Sequence, residues 1–280
     1  MVTLNGKTIT IAAVAVLLVA GIGIFLVDGS EDDGRTRITV GGSTTIQPIM
    51  AELADGYYKT HGDVEITVLG GGSGVGASNT ANGTFDIGMC SRNLKQSEVD
   101  LGLREVRIGY DGVAVIANVE GVGDLTMEQL AGIFSGEIGN WKDVGGPDRR
   151  IAVVIRDDAS GTRECFDKAM AGAVDGWEVK EGVPEQSSTN GVVSQVSSTP
   201  GAIGYISIGA VDGLPQGTCV LTVDGVTASD ETVSDGSYPI QRDLVLCTDG
   251  EATGEVAAFI DWILGPEGQA IVGEEFVTLN

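Results

Sequence analysis

The strongest constraint on this chain is a repeated local pattern. A short apolar, β-branched run is followed by a turn of Gly, Ser and Thr, and then by apolar residues spaced for a helix. Residues 38–40 lead into Gly41-Gly42-Ser43-Thr44-Thr45, after which Ile46, Ile49, Met50, Leu53, Ala54 and Tyr57 recur at i, i+3, i+4. That spacing predicts an amphipathic helix ending near Gly62. Val64–Leu69 alternates as a strand and breaks at Gly70-Gly71-Gly72-Ser73-Gly74, with a second helix opening at Ser73 or just after. Residues 86–89, 107–117, 151–155, 202–208 and 244–247 read as further strands. Thr126-Met127-Glu128-Gln129 is a capping box opening a helix through Phe134. Ala159-Ser160-Gly161-Thr162 precedes a helix carrying Phe166, Ala169 and Met170, and residues 256–264 form a helix stopped by Gly265-Pro266. Such alternation predicts an α/β fold with largely parallel sheets. No internal repeat has a solenoid period.

Composition narrows the function. Sixteen Lys and Arg stand against 40 Asp and Glu, for a net charge of −24. No basic stripe exists to neutralise a nucleic-acid backbone. Six of the cations are Lys, and this acidic, Lys-poor surface fits a saline habitat or a need for solubility. His61 is the single His, so neither Cys/His zinc spacing nor a Ser–His nucleophile pair is available away from it. No metal-ligand cluster stands out, and no cofactor is implied. The Gly70–Gly76 region lacks the Gly-Lys-Ser/Thr ending of an NTP-hydrolysing loop, and Val75 breaks a GxSxG around Ser73. The chain reads as a binding protein and not an enzyme. Cys90, Cys165, Cys219 and Cys247 form no CxxC pair and are expected to be buried thiols.

The N-terminus reads as a membrane signal. Lys7 precedes an uncharged stretch, residues 8–27, and Asp28, Glu31, Asp32 and Asp33 follow. About twenty residues at 1.5 Å each span the hydrocarbon layer, and the charge order places the bulk of the chain outside. No clear cleavage site is present, which favours an uncleaved anchor over a cleaved signal. No Cys follows closely enough for lipid attachment.

Three turns carry small hydroxyl residues and Gly where a helix should start: Ser43-Thr44-Thr45, Ser73-Gly74 and Ser160-Gly161-Thr162. A helix start offers unpaired N–H groups and the positive end of the macrodipole, so an anion can be held there without Lys. Taken singly, each turn reads first as an ordinary N-cap. Three in one chain, with Arg156 at a predicted strand end four residues before Ser160, favour an anion site further, since an Arg there can present a planar fork to a tetrahedral oxyanion; the competing reading of Arg156 is a solvated surface charge.

At these turns the sequence resembles the phosphate-binding proteins of Pst-type ABC importers, in the type II periplasmic-binding-protein superfamily. The matching stretches include GGSTTIQPIMAELADGYY (41–58), LGGGSGVGASNTANGTFDIGMCSRNL (69–94), VVIRDDASGTRECF (153–166) and GSYPIQRDLVL (236–246), and the likeness covers nearly everything after residue 36. The resemblance implies a two-lobed α/β fold with a ligand cleft between lobes, preceded by the N-terminal hydrophobic helix. Residues 1–35 would be anchor and linker, 36–115 and 240–280 one lobe, and 116–239 the other, with crossings near residues 113–118 and 238–244. It implies phosphate contacts from Thr44, Thr45, Ser73, Arg156, Ser160, Gly161 and Thr162, with Asp158 steadying Arg156. Many relatives carry Ser-Asp where this chain has Ser91-Arg92, and their Asp accepts the proton of hydrogen phosphate. The departure makes Arg92 a candidate ligand, Asp111 a candidate proton acceptor and Arg163 a candidate second guanidinium. The implied function is capture of inorganic phosphate at the outer face of the cell membrane for separate permease and ATPase subunits. Alternatives are another oxyanion (sulfate, molybdate or tungstate), or an anchored phosphatase or phosphate sensor.

Overall fold

The computed structural model describes residues 34–279. The N-terminal anchor or signal expected above lies outside them. No helix of the described residues is long and apolar enough to cross a membrane.

The first part of the chain runs β1 (Thr36–Gly42), α1 (Gln47–Tyr58), β2 (Val64–Leu69), α2 (Ser73–Ala81), β3 (Ile87–Cys90), α3 (Gln96–Asp100) and the long β4 (Leu103–Ala117). Then come β5 (Asp124–Leu125), α4 (Met127–Ser135), β6 (Ala152–Val153), β7 (Ile155–Arg156), α5 (Gly161–Ala173), β8 (Glu185–Gln186), α6 (Thr189–Ser198) and β9 (Ala202–Ser207). β10 (Cys219–Val223), α7 (Asp230–Ser234), β11 (Gln241–Asp249), α8 (Gly254–Leu264) and α9 (Pro266–Val272) complete the order. The capping box at Thr126 forms as expected, its hydroxyl accepting from Gln129 N–H at 3.1 Å and Gln129 Oε1 accepting from Thr126 N–H at 2.9 Å. The run at 151–155 is two short strands and not one: β6 pairs with β9, whereas β7 pairs with β8.

The sheet is mixed, which corrects the expectation of largely parallel pairing. β1 lies parallel to β2 and β3. β11 is antiparallel to both β3 and β4, and β4 is antiparallel to β9 and β10. The reason is the length of β4. Its first ten residues pair with β11 as far as Gly112↔Gln241, and from Val113↔Ser207 onward it pairs with β9. A strand shared in this way is paired by returning segments, and a returning segment runs antiparallel.

Two large hydrophobic cores follow the same division. One gathers Ile38, Val40, Ile49, Leu53, Ile87, Ile108, Leu244, Leu246, Phe259 and Ile263; the other gathers residues from Val113 to Ile240. The change of core therefore falls between Ile108 and Val113 on β4, and between Ile240 and Leu244 at the start of β11. In the second core Phe134 of α4, Phe166 of α5 and Tyr205 of β9 pack together, with Phe166 stacked on Tyr205 at 4.2 Å between centroids and Phe134 tilted against Phe166 at 4.6 Å. Burying each such ring is worth about 1.5–3 kcal/mol, and the cluster fixes the start of α5 on the sheet. Cys90 and Cys247 are buried thiols in a small third cluster with Ala77, Leu103 and Val245, and Cys165 and Cys219 are half-buried.

At the point where β4 changes core, the buried hydroxyl of Tyr238 donates to the Val113 carbonyl at 2.9 Å. Tyr238→Phe removes that donor without changing packing, and is expected to lower unfolding stability by about 1 kcal/mol in denaturant titration, with the m-value unchanged.

Candidate anion-binding site

Each hydroxyl-rich turn sits at the end of a strand that the sheet holds in place. Gly42 ends β1 and the chain turns through Ser43, whose hydroxyl accepts from Thr45 N–H at 3.2 Å and Ile46 N–H at 3.4 Å. Thr44 and Thr45 are thereby set at the start of α1. Ser160 caps α5, its hydroxyl accepting from Arg163 N–H at 3.2 Å. The ordinary capping role is thus real, and it leaves the hydroxyl proton of Ser160 available to donate. Ser73 opens α2, with its hydroxyl accepting Ser91 N–H at 3.0 Å and lying 3.3 Å from Ser91 Oγ.

These turns come from both cores and meet. Thr45 Oγ1 lies 3.2 Å from Thr162 Oγ1, and Thr44 Oγ1 lies 3.5 Å from Thr189 Oγ1. Gly74 N–H donates to the Ala159 carbonyl at 2.9 Å. Two glycines make this approach feasible. A Cβ on Gly161 would run into the hydroxyls of Ser73 and Ser91, and one on Gly72, whose φ is +94°, would stand 2.7 Å from the Ala159 carbonyl oxygen. The starts of α1, α2, α5 and α6 therefore converge, and a cavity of about 220 Å³ beside them is lined by Thr44, Thr45, Thr189 and Ser207 among others.

Two buried guanidiniums complete the set. Arg156, at the end of β7, is 2% exposed. Its Nε donates to the Gln186 carbonyl at 3.0 Å, its Nη2 to the Ser187 carbonyl at 3.2 Å, and its Nη1 reaches Thr189 Oγ1 only at 3.5 Å. Among the described residues no carboxylate lies within ion-pair distance of it. Arg242, on β11, donates through Nε to Asp111 Oδ2 at 2.9 Å and through Nη2 to the same oxygen and to Thr45 Oγ1. Its Nη1 is buried and has no partner among the described residues. Burial pushes the Arg156 pKa down, and the like charge of Arg242 adds to the shift. A buried cation without a carboxylate, near a second guanidinium with an unused N–H₂ edge, is costly unless an anion joins them.

The structure brings together Thr44, Thr45, Ser73, Arg156, Ser160, Gly161 and Thr162, places Asp111 behind Arg242 and one side chain away from Thr45, and sets Arg92, Asp158 and Arg163 apart. Arg92 is held on both sides by Glu98, Nη1 to Oε2 at 2.8 Å and Nη2 to Oε1 at 2.7 Å, while its Nε meets Glu164 at 2.9 Å. Its charge is spent before it could face the turns. Asp111 is fully buried with Oδ2 on Arg242 and Oδ1 accepting from the Ser207 hydroxyl at 2.8 Å. Burial pushes its carboxyl up, and Arg242 and Ser207 act against that. Asp158 does not steady Arg156: its side chain is 93% exposed and meets Arg163 Nη1 at 2.8 Å. Arg163 is no second guanidinium at the turns. It also pairs with Glu185 at 3.0 Å and donates to the Arg156 carbonyl at 3.0 Å, so it supports the strand end from outside.

Sequence reasoning missed Arg242, Thr189 and Ser207. Only half of a signal for the first was present: Asp111 interrupts a largely apolar run, whereas Arg242 stands between Gln241 and Asp243 in a polar stretch that marks nothing out. Only the β4–β11 register, which sets Arg242 directly across from Asp111, makes the two a pair.

A family model described as a PBP superfamily domain matches residues 29–267. The phosphate-binding protein PstS of Borreliella burgdorferi is 32% identical over 259 residues, spanning 88% of this chain and 90% of that protein. The phosphate-binding protein PstS of Bacillus subtilis is 36% identical over 236 residues, spanning 83% and 77%. Among solved structures, a candidate phosphate ABC transporter substrate-binding protein from Clostridium perfringens, crystallised with bound phosphate, matches with a TM-score of 0.81 at 35% identity. That match covers 88% of this chain and 100% of the other. An ABC-type phosphate transport receptor from Vibrio cholerae matches with a TM-score of 0.71 at 30% identity, covering 87% of this chain and 100% of that one. With the family model spanning most of its length and relatives above 30% identity along most of theirs, this chain belongs to the PBP superfamily, among its PstS-like phosphate-binding proteins.

Proposed function

We propose that this chain is the extracytoplasmic substrate-binding protein of an ABC importer and that it captures inorganic phosphate without chemical change. The observation that carries the reading is the pair of buried guanidiniums, Arg156 and Arg242, among hydroxyls and helix starts drawn from both cores. Four helix starts and two planar forks suit a small tetrahedral dianion, and the acidic surface does not oppose this because distant charges are screened. The relatives named phosphate-binding protein, and the phosphate-bound structure from Clostridium perfringens, support phosphate as the ligand.

In this reading the two cores are two lobes with phosphate in the cleft between them, residues 36–115 and 240–280 forming one and 116–239 the other. Thr44, Thr45, Ser73, Ser160, Gly161 and Thr162 contact the anion through hydroxyls and backbone N–H groups. Arg156 and Arg242 supply charge-assisted hydrogen bonds. Thr189 lies beside Arg156 Nη1, and the Gln186 and Ser187 carbonyls orient that fork. Separate permease and ATPase subunits receive the phosphate, and residues 1–35 hold the protein at the outer face of the membrane. Fractionation of cells is expected to find the full-length chain in membranes; a soluble mature form beginning near Gly29 would replace the anchor with a cleaved signal.

Asp111 acts in this reading through Arg242, which it holds across the β4–β11 pair. Removing one partner of a buried ion pair costs about 3–5 kcal/mol because the other charge is left uncompensated. Asp111→Asn is therefore expected to lower stability by that order and to weaken phosphate and sulfate binding alike. A rise in sulfate affinity relative to phosphate, measured by competition, would return the role of proton acceptor to Asp111.

Calorimetry with phosphate, sulfate, arsenate and molybdate tests the ligand. Phosphate is expected to bind with a Kd of about 1 μM or tighter, equivalent to about −8 kcal/mol. Arg156→Ala should cost about 2–5 kcal/mol of that binding, and Arg156→Lys should recover only part because the bidentate fork is lost. An alanine variant that binds phosphate like the parent would remove Arg156 from the site.

A further inference from the structure

The two cores are also tied together outside the anion-binding turns. Arg92 follows β3, and Lys95 stands at the start of α3, both beside the first core. Glu164 lies in the first turn of α5, two residues after Thr162. Its Oε2 meets Arg92 Nε at 2.9 Å and Lys95 Nζ at 2.9 Å. The receiving side is built in advance. Arg92, 7% exposed at its side chain, is clamped by both oxygens of Glu98, and Glu98 Oε2 also accepts from Lys95 N–H at 2.8 Å. Burial opposes ionisation of Glu98, but Arg92 and the Lys95 N–H outweigh it and hold its carboxyl below the ordinary value. The first core thus presents an oriented cation, and Glu164 is the one group of this triad that comes from the other side.

We propose that Glu164, with Arg92 and Lys95, is a latch that holds the two cores closed over the anion and sets how long it stays bound. This rests on the reading of the cores as lobes that close on phosphate. An exposed ion pair contributes little because ordering two long side chains offsets the attraction. Here Arg92 is buried and already oriented, so closure need order only Glu164 and the half-exposed Lys95 side chain. The carboxylate rides on the same helix start that carries Ser160, Gly161 and Thr162. It can reach Arg92 only when that start is packed against Ser73 and Thr45, the arrangement seen here. Lys95, Ser160 and Glu164 line one open hollow of about 760 Å³, so the latch lies at the surface beside the anion-binding turn. The latch also accounts for Ser91-Arg92: an Arg at this position serves closure and needs no contact with the anion.

The sign of one measurement separates this latch from simple electrostatics. Removing a carboxylate near an anion site makes the site more positive, which by charge alone tightens binding and slows release. Loss of a latch does the opposite. The full chain is loaded with radiolabelled inorganic phosphate and chased with excess unlabelled phosphate. Glu164→Gln is expected to release label about tenfold faster than the parent, with an association rate within about threefold and an unchanged melting temperature without phosphate. Lys95→Met is expected to release about two- to threefold faster, and Lys95→Arg at the parental rate. Raising salt should hasten release from the parent and leave Glu164→Gln nearly unaffected. A parent that takes up no phosphate overturns the functional reading and the latch with it. A parent that binds while Glu164→Gln releases at the parental rate, or more slowly, overturns the latch alone.

Discussion

The arrangement of this protein depends on one buried ion pair, Asp111 with Arg242. It sits where β4 leaves one core for the other and where β11 returns, directly across the strand register. Two charges with almost no solvent exposure are tolerable because each is answered: Asp111 by Arg242 and the Ser207 hydroxyl, Arg242 by Asp111 and Thr45. The pair draws β4, β9, β11 and the first turn of α1 to one point. It also leaves one N–H₂ edge of Arg242 unused in a place that water does not reach. If Arg242 binds the anion as proposed, one side chain serves both the crossing and the site, and the stability of one is tied to the field of the other.

Around that pair the geometry is governed by close approach. Gly72 and Gly161 let backbone and hydroxyl come together where any side chain would block them, so α2 and α5 present their first turns to one another. The helix starts provide partial positive charge that is fixed by the backbone and loses no side-chain entropy on binding. Arg156 adds a full charge, and its orientation is set by two carbonyls of the segment before α6, which themselves cannot neutralise it. Arg163 and the packed rings of Phe134, Phe166 and Tyr205 secure the strand end and helix start from behind.

Much of this was readable from residue order. The apolar spacing of residues 46–57 gave α1, the alternation at 64–69 gave β2, and Thr126 with Gln129 gave the start of α4. The hydroxyl turns marked their helix starts because capping is a local property, decided within four residues. Side-chain roles that depend on distant partners were not readable. Arg92 looked like a free cation beside an anion loop, but Glu98 six residues on and Glu164 on a distant helix occupy it. Asp158 looked like the support of Arg156, yet the turn points it to solvent beside Arg163.

By itself the sequence determined the α/β alternation, the hydroxyl-rich helix starts and the family resemblance, since all three are written in short-range periodicity and motif order. Tertiary structure alone decided the mixed sheet, the pairing of Asp111 with Arg242 and the meeting of Glu164 with Arg92 and Lys95. Each of these rests on strand register or on the contact of two cores separated by long stretches of chain. Register is set by how whole faces of a sheet are buried, and a charge's partner is set by which groups that burial leaves side by side.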